Sequence, residues 1–310
     1  MSLETIERKF NVPSPARLSL GNIRGSIQVL PGAAGEISIS AVKDTASGDS
    51  ERTEIRIEQA QDGSVKVETR SAEGVLNLFR LRPCKVEYTA RVPQDCRLHL
   101  SGVSCTISVQ ELQGEFHINT VSGSVEAREL FGPVKVNTVS GGFSADQIAG
   151  SLEFDAVSGG VTLLNSRLGS VKGKTVSGGI RIETPLAEGP YNFNSVSGEL
   201  TLVVPDGTSC TAELTSLSGQ IHTGNLPVTS RIKSNGKRLV EIRGGGPQVH
   251  LNSVSGGIHI TTSGNISSES APEPPAAEEQ APSHVQEILD QIERGEISVD
   301  EGIAKIKSSG

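Results

Sequence analysis

Residues 174–180 read Lys-Thr-Val-Ser-Gly-Gly-Ile, and two readings compete for them. Gly173-Lys174-Thr175 has the ending of a phosphate-binding loop. Val176-Ser177-Gly178 recurs up and down the chain. A phosphate-binding loop needs G-x-x-x-x-G-K-[ST] leading into a helix, so that backbone amides wrap the phosphates. Its first glycine would fall on Leu168, and the following "IRIETP" alternates as a strand. The stretch is therefore one tooth of a repeat.

Aligned on the glycine of V-S-G, the repeat falls at Gly123, Gly141, Gly159, Gly178, Gly198, Gly219 and Gly256. The steps are 18, 18, 19, 20, 21 and 37, the last read as two turns with one degenerate member. Cys105 in "GVSCTISV" stands one step before Gly123, and Gly25 in "LSLGNIRGSIQV" is a further match. Self-similarity at a period of about 20 residues marks a stacked array.

Each column has one character. Two residues after the anchor come Val125, Phe143, Val161, Ile180, Leu200, Ile221 and Ile258. Five before it come Ile118, Val136, Phe154, Gly173, Phe193, Leu214 and Leu251. Polar residues such as Glu126, Thr162 and Arg181 stand between, giving the period-two alternation of a strand with one buried face. A second glycine column lies nine residues earlier, at Gly114, Gly132, Gly150, Gly169 and Gly189. Each coil is thus expected to hold two short strands and two tight turns, with glycine serving positive φ and close backbone approach. One coil cannot bury its apolar face, so neighbours stack about 4.8 Å apart. Ser122, Ser140, Ser158, Ser177, Ser197, Ser218 and Ser255 then form a corner ladder. The expected fold is all-β: a parallel β-solenoid (β-helix) of coils of about 18–21 residues, followed by a small helical hairpin.

Four segments follow. Residues 1–90 read as irregular N-terminal coils or a cap, because "EISISAV", "EIRIEQ" and "VEYTARVP" alternate but are joined by longer polar loops. Residues 91–263 carry the regular repeats. Residues 264–282, rich in Pro, Ala and Glu, read as a linker. Residues 283–310 read as a two-helix hairpin. Ser283 with Gln286 and Ser298 with Glu301 have capping spacing, and Gly295 separates the helices. Val285, Ile288, Leu289, Ile292, Ile303 and Ile306 form its apolar stripe. At 28 residues the hairpin is too small to hold alone, so the stripe is the candidate partner-binding surface: the solenoid, a second copy or another protein.

The chain of 310 residues has a net charge of -8. Ten acidic and three basic residues from Ile266 onward carry -7 of it, leaving -1 on the rest. No basic face with interleaved aromatics exists for nucleic acid. No segment has the ~20 apolar residues of a membrane span, and the N-terminus has no signal-peptide core. A cytoplasmic or membrane-peripheral place is expected, with surface exposure left open. Cys84, Cys96, Cys105 and Cys210 show no C-x-x-C and read as reduced thiols.

Chemistry is sparse. His99 and His117 share one outward column and could bind a metal weakly, but Lys135 and Glu153 continue that column, as on a solvated face. Glu153 and Asp155 face charge-mixed neighbours, and no hydrolase, zinc-protease or dinucleotide motif occurs. No catalytic residue, cofactor or metal is expected. Asn119, Asn137, Asp155 and Asn194 form a polar ladder that could touch a glycan, although exposed polar ladders commonly just solvate a solenoid face.

Together, "VEYTARVPQDCRLHLSGVSCTISVQELQGEFHINTVSGSVEA" and "LSLGNIRGSIQVLPG" resemble the bacterial putative-adhesin domain family of unknown function, over residues 9–262. The terminal "L-x-x-I-E-x-G-x-I-S-V-D-E" run is similar to helical modules of YvlB-like envelope-stress proteins. The resemblance implies a β-helix with no established enzyme activity. The expectation is a non-enzymatic scaffold in envelope-stress regulation whose hairpin self-associates or binds a partner. The alternative is a surface adhesin or glycan-binding module.

Overall fold

Alternation in sequence becomes alternation in burial. In the computed structural model the described residues are 3–71, 83–224, 226–232 and 237–262. The linker and the hairpin, with all six residues of its apolar stripe, lie outside them. The described residues are all-β, 68% strand and 1% helical. Among the described residues the helical part is one 3-10 turn, Ser50–Arg52. The described residues divide into two units, 3–144 and 145–262.

In the first unit, strands pair in parallel with the strand one repeat later. Ile107 lies beside Val125, Phe116 beside Val134 and Ile118 beside Val136, so like stacks on like. The anchor+2 and anchor-5 columns are buried here, and polar residues between them face outward. The second glycine column does not break the strands as expected. Gly114 and Gly132 lie inside the continuous strands Asp95–Thr120 and Val125–Thr138. There the chain bends through two left-handed residues, Glu111 and then Gly114 (φ 55° and 138°), repeated at Glu129 and Gly132 (53° and 129°). The V-S-G column, by contrast, has no positive φ at Gly123 or Gly141.

The outer end of this unit departs from sequence order. Strand Ala16–Pro31 lies parallel to residues 96–109, with Leu18 beside Leu98 and Gly25 beside Cys105. On its other side it meets Val65 at Leu18 and Val86 at Gly25. Beyond that rung all pairing turns antiparallel: Thr53–Gln59 on Val65–Ser71, Glu36–Asp44 on Lys85–Val92, and Leu3–Asn11 on Glu36–Asp44. The outermost strand is charge-rich and mostly exposed, which discourages edge-to-edge growth of the sheet.

The second unit absorbs its longer steps locally. Gly150 pairs with Leu168 but Ser151 with Ser170, which leaves Gly169 as a bulge and accounts for the 19-residue step. The 20-residue step holds a loop between Ile180–Glu183 and Tyr191–Ser195. The Tyr191 hydroxyl pins that loop, donating to the Leu168 carbonyl and accepting from the Ala187 amide, both at 2.7 Å. At Gly173 the inward column has no side chain. The Phe154 ring fills the space, within 2.2 Å of where a Cβ would stand.

The 37-residue step is not two turns in sequence order. Tyr191 pairs with Val249, and Val249 pairs in turn with Ala212. Leu200 pairs with Ile258, and Ile258 with Ile221. The last coil in sequence therefore lies between the two before it. Residues meant as a degenerate coil instead form Val228–Ile232 and Lys237–Ile242, paired antiparallel, with the latter antiparallel on Cys210–Ser216. That stretch lacks a V-S-G corner, and its two strands pair antiparallel instead of continuing the parallel columns.

Candidate functional site

The V-S-G corner is built by hydroxyls and bare backbone. Thr138 Oγ1 accepts from the Gly141 amide (3.1 Å) and donates to the Gly141 carbonyl (2.8 Å). Ser195 does the same for Gly198, at 2.8 and 2.9 Å. Sequence reading saw this column only as small. Its cue was that Thr or Ser stands three before almost every anchor, the spacing of local side-chain caps. The anchor glycines serve close approach. A Cβ on Gly123, Gly141, Gly178, Gly198, Gly219 or Gly256 would stand 1.7–2.0 Å from a carbonyl oxygen of the next coil. At Gly178 that oxygen belongs to Gly159.

The expected serine ladder is present in altered form. Instead of bonding chiefly to one another, the serines donate to the carbonyl of the residue before the neighbouring serine. Ser122 donates to Val103, Ser140 to Val121, Ser197 to Val176 and Ser255 to Val196, at 3.2–3.3 Å. With serine and glycine tied to backbone, the valine between the cap and the serine is turned outward on the corner.

That outward residue behaves differently in the two units. In the first, Val103, Val121 and Val139 are 1%, 0% and 5% exposed. In the second, Val176, Val196, Val254 and Leu217 are 47%, 47%, 46% and 82% exposed. Backbone bonds order these four in space. The Ser197 amide donates to Val176, the Ser255 amide to Val196 and the Ser218 amide to Val254. The second unit thus carries an aliphatic ridge over four successive coils. Sequence order would have placed Leu217, not Val254, beside Val196.

The same permutation creates a histidine pair that the sequence did not announce. His222 and His259 stack with centroids 5.0 Å apart, with Glu199 Oε1 3.7 Å from His259 Nε2. His99 and His117 meet edge-on at 5.0 Å, as their shared column implied. Among the described residues no group of three or more His, Cys, Asp or Glu is placed to hold a metal ion. Lys172 lies 3.5 Å from Glu153, so that carboxylate takes part in cross-coil charge pairing. Lys174 and Thr175 stand in strand Arg167–Thr175, and Thr175 caps the Gly178 amide at 3.0 Å. The opening stretch is a repeat corner.

The four cysteines are buried and free. Burial pushes the thiols of Cys96 and Cys105 up to about 12 and that of Cys210 up to about 11. These thiols stay protonated at neutral pH, unlike reactive cysteines. Among the described residues no helix is long and apolar enough to cross a membrane.

The fold and corner define an all-β repeat protein. The Toastrack DUF4097 family model matches residues 17–261, and the chain belongs to that family. Among solved structures it is similar to a "putative lipid binding protein" from Parabacteroides distasonis, at 16% identity over 84% of this chain and 96% of that one, with a TM-score of 0.52. It also matches a "putative cell adhesion protein" from Clostridium sporogenes (12% identity, 84% and 100% covered, TM-score 0.24) and a "putative adhesin" from Bacteroides fragilis (11%, 84% and 97%, 0.39). The curated proteins contain no match.

Proposed function

We propose that the protein is a non-enzymatic β-solenoid scaffold that holds protein partners, working inside a bacterial cell in an envelope-stress context. The observation that carries this reading is the ridge of Val176, Val196, Val254 and Leu217. Single exposed aliphatic residues are ordinary on protein surfaces, but contiguous ones mark contact sites. The ridge spans three coil spacings, about 14 Å, a length that suits two to three turns of an amphipathic helix. The C-terminal hairpin, through self-association or a partner, supplies an element of that kind.

Glycan binding by a surface adhesin is the second reading. It is favoured by the outward amide ladder of the second unit, where Asn252 Nδ2 donates to Asn194 Oδ1 at 3.2 Å. One experiment separates the two. A photo-crosslinking residue replaces Leu217 in the full-length protein, which is then irradiated in bacterial cells. The scaffold reading expects a protein adduct that disappears on Val196→Glu. Adducts only to glycan-bearing envelope material would transfer the function to the second reading, and no adduct at all would refute the ridge as a contact site.

A further inference from the structure

We infer that His222 and His259, with Glu199 and Gln220 beside them, bind one divalent transition-metal ion, zinc or copper, and that the ion ties the short strand Ile221–His222 to the strand Ile258–Thr262. Thr201, His259 and His222 are partners in one outward row across three neighbouring strands. The Leu200 amide donates to the Gly257 carbonyl and the Ile258 amide to the Gln220 carbonyl, both at 2.9 Å. Glu199, Gly257 and Gln220 therefore form the adjoining row. Both imidazoles lean toward that row. His259 Nε2 lies 3.7 Å from Glu199 Oε1, and His222 Nε2 lies 3.0 Å from Gln220 Oε1. The two rings are 20° from parallel, with centroids 5.0 Å apart. Between Glu199 and Gln220 the row has no side chain. A Cβ on Gly257 would stand 3.1 Å from His259 Nε2, so the bare glycine keeps open the space that both Nε2 atoms approach.

At 3.7 Å the contact between Glu199 and His259 is too long for a hydrogen bond. Ligand atoms held about 2.0–2.2 Å from one zinc stand roughly 3–4 Å apart, so these two atoms already have the spacing of two ligands. As they stand, the side chains do not yet enclose an ion. Glu199, Gln220 and His222 are exposed, so turning their side-chain torsions closes the set without disturbing the core or the backbone. Two imidazole nitrogens with oxygen donors suit zinc or copper, whereas calcium and magnesium take oxygen ligands.

The other histidine pair is an internal comparison. His99 and His117 also meet at 5.0 Å, but edge-on, with their planes 69° apart. The direct partner of His117 on the next strand is Lys135. An ammonium in that row opposes a bound cation, whereas the Glu199 carboxylate favours one. The ion also has a structural use. Ile221–His222 is only two residues long and pairs with Ile258 and His259 alone. A metal link between the two imidazoles would fasten that short strand. The order of the strands makes the site. Were a further coil to stand between residues 221 and 258 in the stack, the two histidines would not be neighbours.

The test titrates zinc chloride into the full-length protein by calorimetry. One ion per chain is expected to bind, and the melting temperature to rise with zinc, because a ligand held by the folded chain stabilises it. His222→Ala and His259→Ala should each weaken binding at least about tenfold, the smallest effect of losing even a ligand's supporting partner. Glu199→Gln should weaken it less, and His99→Ala/His117→Ala should leave it unchanged. All these side chains stand on outward columns, so each variant should keep the parent melting temperature in EDTA, which checks that it has folded. One equivalent of copper(II) gives an independent signature. Its electron paramagnetic resonance spectrum should show two coordinating nitrogens in the parent and lose them in His222→Ala/His259→Ala. No zinc bound by the parent would overturn the proposal. So would binding unchanged in His222→Ala/His259→Ala, or binding lost in His99→Ala/His117→Ala instead, since either places the ion elsewhere. None of these outcomes bears on a Leu217 photo-adduct, so the metal site and the scaffold reading fail separately.

Discussion

A methyl group on Gly198 would stand 2.0 Å from the Gly178 carbonyl oxygen. That oxygen belongs to the backbone of the next coil and cannot rotate away. Gly198→Ala is therefore expected to cost about 3 kcal/mol, the upper end of the usual overpacking range, because the obstacle is backbone. For a chain of this size that lowers the melting temperature on the order of 10 °C. Gly21→Ala is the control, since nothing lies within 4 Å of its Cβ and its φ is unstrained. Its melting temperature should stay within about 2 °C of the parent, as for surface changes that touch nothing. Equal effects at the two sites would show that the anchor glycines are not close-approach positions. At this scale the sequence was legible wherever a residue type repeats. The anchor glycines, the serine ladder and the Thr/Ser caps all stand at fixed offsets. Glu111 and Glu129 were not legible, because a left-handed glutamate leaves no compositional mark.

Among elements, the decisive feature is the strand Gln248–Ser253 lying between Tyr191–Ser195 and Cys210–Ser216. Asn194 and Asn252 are direct partners in that arrangement, and Asn252 separates Asn194 from Thr215. Cysteines at Asn194 and Asn252 are expected to form a disulfide, since adjacent parallel rungs hold Cα atoms within bridging distance. Cysteines at Asn194 and Thr215, two rungs apart, are not. The reverse result on a non-reducing gel would restore sequence order. Alternation and burial were readable strand by strand, because each depends on local period alone. Order within the stack was not, because every coil presents nearly the same apolar columns to either neighbour. The hint lay in what one stretch lacks: residues 224–247 have no V-S-G corner and contain Asn235-Gly236, a hairpin dipeptide.

For the molecule as a whole, the deeply placed thiols predict alkaline lability. A thiol's ordinary value here is 9.0, and burial raises Cys96 and Cys105 to about 12. Below about pH 9 folded and unfolded chains both keep these protons, and stability does not depend on them. Between about pH 9 and 12 only the unfolded chain ionises, so it binds fewer protons and stability falls as pH rises. Melting temperature should therefore decline above pH 9, and the Cys96→Ala/Cys105→Ala double variant should decline less steeply. Parallel curves would rule the thiols out as the cause. By itself the sequence determined the all-β class, the period, the inward columns and the places of the corners, because all of these follow from short-range alternation and from which residues tolerate crowding. Tertiary structure alone decided that the last coil enters between the two before it, that His222 meets His259, and that the outward column is buried at Val103, Val121 and Val139 but exposed at Val176, Val196, Val254 and Leu217. Those outcomes depend on which surfaces meet across the stack, and a repeat that makes its coils alike leaves that choice open until the chain is folded.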